Sequence, residues 1–291
     1  VAQTNLEKGL VAYYPFDGNA LDMSGNKNNP KFNNATLTSD RYGKSNSAFY
    51  FNGTDSYIRI PNSPTLNFSR QLSLCTWVKV SGFYKGDCHG NSIIMKGNRD
   101  DQGGNYFLRF DDGSHSRWQN CSNEYPDKDH QNFYGIGFAT SGGYAPYIKK
   151  EQWYCLAYTC DGTTSRFYLD GVLKSSEPAS WNSFRNNDDL FFGKMNDSQF
   201  PYWFHGALDE VKIYNRAITA DEIRSFCKLP PAPAHSCDGT HPVSAAFDYS
   251  VSECKKVNFR LNMKDKKDLT NVKWNFGDGT GSNVSSPVHI Y

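Results

Sequence analysis

Along the first 215 residues, short runs rich in β-branched and aromatic residues alternate with clusters of Gly, Asn, Asp and Ser. Such a rhythm predicts half-buried strands joined by polar turns rather than amphipathic helices. The predicted strands lie at 10–15, 48–51, 57–60, 72–80, 92–96, 106–110, 152–159, 165–169, 189–192 and 206–214. Asn52-Gly53, Asp111-Asp112-Gly113, Asp161-Gly162 and Asp170-Gly171 supply the positive-φ positions that tight hairpins need. One helix is predicted at 219–226, where Thr219 can cap the first turn and Glu222, three residues on, completes a capping box.

Immediately afterwards, Leu229-Pro230-Pro231-Ala232-Pro233-Ala234 removes backbone donors and fixes φ, so it reads as a short semi-rigid spacer. Strand patterns resume at 245–249, 256–261 and 272–276. The expected organisation is an all-β domain at 6–227, a Pro-rich linker at 228–240 and a smaller β domain at 241–291.

Composition suits an all-β fold better than a helical bundle: aromatics reach 15% while hydrophobic residues in total make up only 38% of the 291 residues. A net charge of +1, with no basic run beyond the short patch at 264–267, lacks the positive footprint that nucleic acids require. No stretch approaches the ~18 apolar residues of a membrane-spanning helix. The opening Val1-Ala2-Gln3-Thr4-Asn5 resembles the residues around a signal-peptidase cut, so a secreted or cell-surface setting is expected. Eight scattered cysteines without a C-x-x-C pair fit disulfides in an oxidising compartment better than a zinc site. Their spacing points to Cys88 with Cys121 and Cys227 with Cys237; buried free thiols are the alternative.

Three stretches carry a family likeness: Gly9-Leu10-Val11-Ala12-Tyr13-Tyr14-Pro15-Phe16-Asp17-Gly18-Asn19-Ala20-Leu21-Asp22-Met23-Ser24-Gly25-Asn26, Phe51-Asn52-Gly53-Thr54-Asp55-Ser56-Tyr57-Ile58, and Gly206-Ala207-Leu208-Asp209-Glu210-Val211-Lys212-Ile213-Tyr214-Asn215-Arg216-Ala217. Together they resemble the laminin-G-like, concanavalin A-type jelly rolls common in secreted and surface proteins of Bacteroidetes-like bacteria. Trp274-Asn275-Phe276-Gly277-Asp278-Gly279-Thr280 resembles the signature of a polycystic-kidney-disease (PKD) type repeat, an immunoglobulin-like sandwich. Such repeats carry further strands after this motif, so the second domain is expected to be partial, with other domains in a longer natural chain.

Asp17, Asn19 and Asp22 lie in a polar loop after the first strand, and oxygen donors at such spacing suit a hard cation. In the jelly rolls this chain resembles, the first and last strands run side by side. The resemblance therefore implies a structural Ca²⁺ held by Asp22 and Asp209, with Asp17 as a further ligand. The alternative is that these carboxylates only cap turns and bind backbone amides.

Two enlarged segments, 82–105 and 111–150, contain Tyr84, Arg99, Asp101 and Trp118, and a third cluster contains Trp181, Tyr202 and Trp203. Aromatic rings can stack on the apolar face of a sugar while Asp and Arg satisfy its hydroxyls, so these are the candidate ligand-binding residues. Aromatics packed beneath their own loops are the competing account.

Enzymatic chemistry has little support. Retaining glycosidases need paired carboxylates, and no glutamate here has an acidic residue two or four positions away. The adjacent Asp209 and Glu210 would point to opposite faces of a regular strand. The expected function is a non-catalytic carbohydrate-binding or adhesive module whose partner is a glycan, a polysaccharide or a surface protein. A structural or protein-interaction spacer is the first alternative, and a polysaccharide-active enzyme the second.

Overall fold

A computed structural model of the chain describes residues 5–84, 90–97, 104–111, 132–135, 149–179, 183–228, 246–253, 256–262, 274–275, 281–282 and 288–290. The chain divides into two compact units, Val1–Pro231 and Ala232–Tyr291.

In the first unit the strands are β1 (Leu10–Tyr14), β2 (Phe32–Asn33), β3 (Thr36–Thr38), β4 (Ala48–Asn52), β5 (Ile58–Ile60), β6 (Leu72–Gly82) and β7 (Asn91–Lys96). They continue as β8 (Tyr106–Asp111), β9 (Asn132–Gly135), β10 (Trp153–Cys160), β11 (Thr164–Leu169), β12 (Val172–Pro178), β13 (Leu190–Phe192) and β14 (His205–Tyr214). All ten strands expected from the sequence in this unit are present. Two antiparallel sheets result. An eight-stranded sheet has the order β12-β11-β10-β6-β14-β4-β3, with β1 also on β14, and a six-stranded sheet has the order β2-β5-β13-β7-β8-β9. This is the jelly-roll sandwich that the strand pattern and the resemblance imply.

Alternation explains why the sheets face each other. On β5, Ile58 and Ile60 are fully buried while Arg59 points outward, and on β4, Phe49 and Phe51 point inward. One core takes Phe49, Leu74, Val78 and Leu208 from the first sheet and Ile58, Leu108, Leu190 and Phe192 from the second. Edge-to-face contacts tie it together, including Tyr14 on Phe192 and Phe16 on Phe49, each with ring centroids 5.1 Å apart. Burying side chains of this size contributes roughly 1.5–3 kcal/mol each.

The single α-helix of the described residues, α1 (Ala220–Lys228), starts as the sequence predicts. The Glu222 amide donates to Thr219 Oγ1 at 3.2 Å, and the Thr219 amide donates to the Glu222 carboxylate at 2.8 Å, a complete capping box. Ile223 and Phe226 of α1 cover Cys75, Cys155, Ala157, Tyr168 and Tyr214 on the outer face of the larger sheet. A disulfide fixes the helix there: Cys227 is bonded to Cys155 on β10, with Cα atoms 5.6 Å apart. The expected pairing of Cys227 with Cys237 is therefore wrong, because the Cys227 sulfur is already bonded to Cys155 on β10. Cys75 and Cys160 are buried free thiols, and Cys88 and Cys121 lie outside the described residues.

The second unit contains β15 (Ala246–Glu253), β16 (Lys256–Asn262), β17 (Trp274–Asn275), β18 (Gly281–Ser282) and β19 (Val288–Ile290). Strands β15, β16 and β19 form one sheet, and β17 pairs with β18.

Candidate functional site

The outer face of the six-stranded sheet carries apolar residues where a solvated face would carry polar ones. Register places Phe32 (β2) beside Arg59 (β5), Arg59 beside Phe191 (β13), Phe191 beside Met95 (β7), and Met95 beside Phe107 (β8). A transverse row of outward-pointing side chains thus crosses five strands.

The segment between β13 and β14 covers one end of this row. Its course is set by backbone bonds: Gly193 N–H to Ile93 O at 3.1 Å, Met195 N–H to Pro201 O at 2.7 Å, and Phe204 N–H to Gly193 O at 2.9 Å. Gly193 adopts φ 89°, and a Cβ there would fall 2.3 Å from the Phe51 ring, so no larger residue fits this turn. Met195 and Tyr202 pack on Met95 and Phe107 in a small satellite core, with Tyr84 and Phe200 against it. Tyr202 takes the left-handed φ of 44° and is buried, while the following Trp203 is half-buried.

At the other end the row is open. Phe32 is 38% exposed and stacks on the half-buried Tyr57, ring centroids 4.5 Å apart and planes 25° apart. Tyr57 lies 6.1 Å from Trp203 and 6.0 Å from Phe191. The Lys194 ammonium stands over this group, 4.9 Å from the Trp203 ring and 5.2 Å from the Tyr57 ring. Burial pushes its pKa down, and Asp197 opposes that shift. Arg59 and Asp189 border the patch as a loose ion pair at 3.8 Å.

The segment leading into β13 is fixed from beneath by Lys96. This lysine is fully buried, and its ammonium donates to Asn186 Oδ1 at 2.8 Å, Asp188 O at 2.9 Å and Asn186 O at 3.1 Å. Burial lowers its pKa to about 8, with Asp188 and Asp189 opposing. Its role is to organise the approach to Asp189 and Phe191.

Of the ligand-binding residues expected from the sequence, the structure brings Tyr84, Tyr202 and Trp203 into this region. Tyr202 is only 3% exposed, and Tyr84 packs edge-on against it at 6.1 Å, so loop packing accounts for Tyr202. Trp203 is half-buried and belongs to the open patch. Arg99, Asp101, Trp118 and Trp181 lie outside the described residues. Phe32, Tyr57, Phe191 and Lys194 were not picked out by sequence reasoning; the only signal was an aromatic in the outward position of Leu190-Phe191-Phe192.

The three expected calcium ligands do not share a point. As the resemblance implies, β1 pairs with β14. Asp22, however, spends both oxygens on backbone amides: Oδ1 accepts from Tyr13 at 3.0 Å and Ser24 at 2.9 Å, and Oδ2 from Asn28 at 2.8 Å. Asp17 pairs with Lys44 at 2.6 Å on the surface, and this hydrogen bond holds its carboxyl below the usual range. Asp209 faces Arg41 at 2.5 Å; burial raises its carboxyl and the guanidinium opposes that rise. Among the described residues no group of three or more His, Cys, Asp or Glu side chains could hold a metal ion. These residues do not fit a shared Ca²⁺, because amide donors and cations already occupy their oxygens.

Nor do Asp209 and Glu210 alternate as neighbours in a regular strand. The register of β14 against β6 shifts between Asp209 and Lys212, and Glu210 has φ 54°, the extra residue of a bulge. Its carboxylate accepts from the Tyr13 hydroxyl at 2.9 Å and lies 3.8 Å from Lys212.

A family model described as the concanavalin A-like lectin/glucanases superfamily matches residues 52–224, more than half of the chain. The chain belongs to this superfamily. A second model, described as a PKD domain, matches residues 240–291. Among curated proteins, no sequence matches the chain. Among solved structures, the superfamily fold is shared with domain 4 of AbnA, an extracellular GH43 arabinanase from Geobacillus stearothermophilus solved in complex with arabinotriose. That match has a TM-score of 0.52 and 23% identity, and covers 75% of this chain and 98% of that one. It is also shared with the binding domain of Paraclostridial Mosquitocidal Protein 1, with a TM-score of 0.52, 18% identity, and 77% of this chain aligned to 52% of that one. At these identities the likeness is one of fold.

Proposed function

We propose that the first unit is a non-catalytic carbohydrate-binding module of a secreted or cell-surface protein. The observation that carries this reading is the open aromatic patch of Phe32, Tyr57 and Trp203, built on a rigid sheet and bordered by Lys194 and the Arg59–Asp189 pair. Flat rings beside charged groups suit the apolar C–H face and the hydroxyls of a sugar. The arabinotriose bound to domain 4 of AbnA makes a saccharide the first ligand class to try. An extracellular setting is supported by the Cys155–Cys227 disulfide, which persists in oxidising compartments. No helix among the described residues is long and apolar enough to cross a membrane.

A non-catalytic role is favoured because Asp209 and Glu210 are both engaged, the first by Arg41 and the second by Tyr13 and Lys212. Calcium has no part in this reading, since the expected ligands are satisfied without it.

Affinity electrophoresis through gels containing plant and bacterial polysaccharides tests the proposal. The protein should be retarded by at least one polymer, and Tyr57→Ala and Trp203→Ala should migrate freely with unchanged circular dichroism. Free migration of the wild type in every polymer would overturn the binding claim. Release of reducing sugar would overturn the non-catalytic one.

A further inference from the structure

The polar groups around the aromatic patch are unevenly committed. Asn34 is already used on both sides: its Nδ2 donates to Asp55 O at 3.1 Å and its Oδ1 accepts from the Tyr57 amide at 2.8 Å. Asp197 Oδ1 accepts from the amides of Gln199 at 2.7 Å and Phe200 at 2.9 Å. Asp189 Oδ1 accepts from the Asn62 amide at 2.8 Å, while its other oxygen faces Arg59.

Lys194 differs from these. Its ammonium lies near the faces of Trp203, Tyr57 and Phe191, at 4.9, 5.2 and 5.7 Å; among the described residues no acceptor is within hydrogen-bond distance and no carboxylate within ion-pair distance, and Asp197 acts on it only from further away. The backbone bonds of Gly193 to Ile93 and Phe204 fix its point of attachment. A half-buried cation has lost part of its hydration, and ring faces repay that loss only in part. Such a group gains more from an incoming anion than a fully solvated lysine would. Arg59, with a side chain 45% exposed, is only loosely paired with Asp189 at 3.8 Å, and Lys31, next to Phe32 in the chain, is exposed.

Building on the glycan-binding reading, we infer that this patch selects an anionic sugar, one bearing a carboxylate or a sulfate ester, with Lys194 meeting the charge while the sugar ring stacks on the aromatic rings. The shared requirement is a negative group at the edge of a pyranose or furanose ring, within reach of the seam between Tyr57 and Trp203.

Binding is measured for polygalacturonate against its carboxyl-reduced counterpart, and for dextran sulfate against dextran, with wild type, Lys194→Met, Lys194→Arg and Trp203→Ala. The wild type should bind an anionic polymer about tenfold or more tighter than its neutral partner, the scale of one charge-assisted hydrogen bond. Polygalacturonate preference would mark a carboxylate, and dextran sulfate preference a sulfate. Lys194→Met should abolish the preference, Lys194→Arg should keep it, and Trp203→Ala should lose binding to both members of the pair. A neutral polymer bound as tightly as its anionic partner, through Trp203 but independently of Lys194, would overturn the anionic assignment and leave the glycan reading intact. Retention of no polymer at all would overturn both.

Discussion

The Arg41 guanidinium lies 2.5 Å from the Asp209 carboxylate, joining the segment between β3 and β4 to the bulge of β14. Both side chains are nearly buried, and the guanidinium also stacks over Trp77 at 4.6 Å and Tyr42 at 4.4 Å. Removing one partner leaves the other charge buried and uncompensated. Asp209→Ala should therefore cost about 3–5 kcal/mol in urea denaturation. The double variant Arg41→Met, Asp209→Leu should be milder than either single change, because no stranded charge remains.

Asp22, both of whose oxygens accept from backbone amides, predicts insensitivity to calcium. Thermal midpoints in excess Ca²⁺ and in EDTA should coincide. A midpoint raised by Ca²⁺ and lowered by the chelator would show that an ion binds with donors other than this arrangement supplies.

The Cys155–Cys227 disulfide closes a loop with a sequence separation of 72 and holds α1 against the larger sheet. Replacing both cysteines by alanine should lower stability by about 2–5 kcal/mol. Calorimetry of wild type with and without reductant provides the comparison, and an unchanged midpoint would mean that packing of Ile223 and Phe226 alone retains the helix.

Glu222 links helix capping to pH. Its carboxylate is bound by Arg216, at 2.6 and 2.8 Å, and by the Thr219 amide. The Arg216 hydrogen bond is the largest influence and holds the Glu222 pKa at about 2. A carboxylate with a depressed folded pKa contributes stability above its unfolded value near 4.5 and loses it as pH falls toward 2. Glu222→Gln should thus be about 1.5–3 kcal/mol less stable than wild type at neutral pH. The gap should close as pH falls through that window, and a gap constant with pH would contradict the account.

Local signals were legible in the sequence and long-range ones were not. The Thr219–Glu222 box and the Asp170-Gly171 hairpin depend on neighbours within a few residues, and both formed as expected, with positive φ of 51° and 77° in the hairpin. Strands β2 and β3, of two and three residues, are too short for alternation to register. The Cys155–Cys227 pairing depends on where α1 lands on β10, which spacing along the chain does not encode. The same holds for the patch, since Phe32, Tyr57, Phe191 and Trp203 come from four separate segments aligned only by sheet register. Glu210 shows the reverse failure: alternation was assumed, and a bulge broke it.

The most direct test of the central claim is a titration of wild type and Trp203→Ala with the polysaccharide that retards the wild type most. Trp203 is half-buried in the segment between β13 and β14, outside both sheets, so its removal should leave the fold intact, checked by an unchanged thermal midpoint. The account predicts a loss of about tenfold or more in affinity for Trp203→Ala, the scale of one aromatic stacking contact. Equal affinity of the two proteins would contradict it and place any glycan site elsewhere on the molecule.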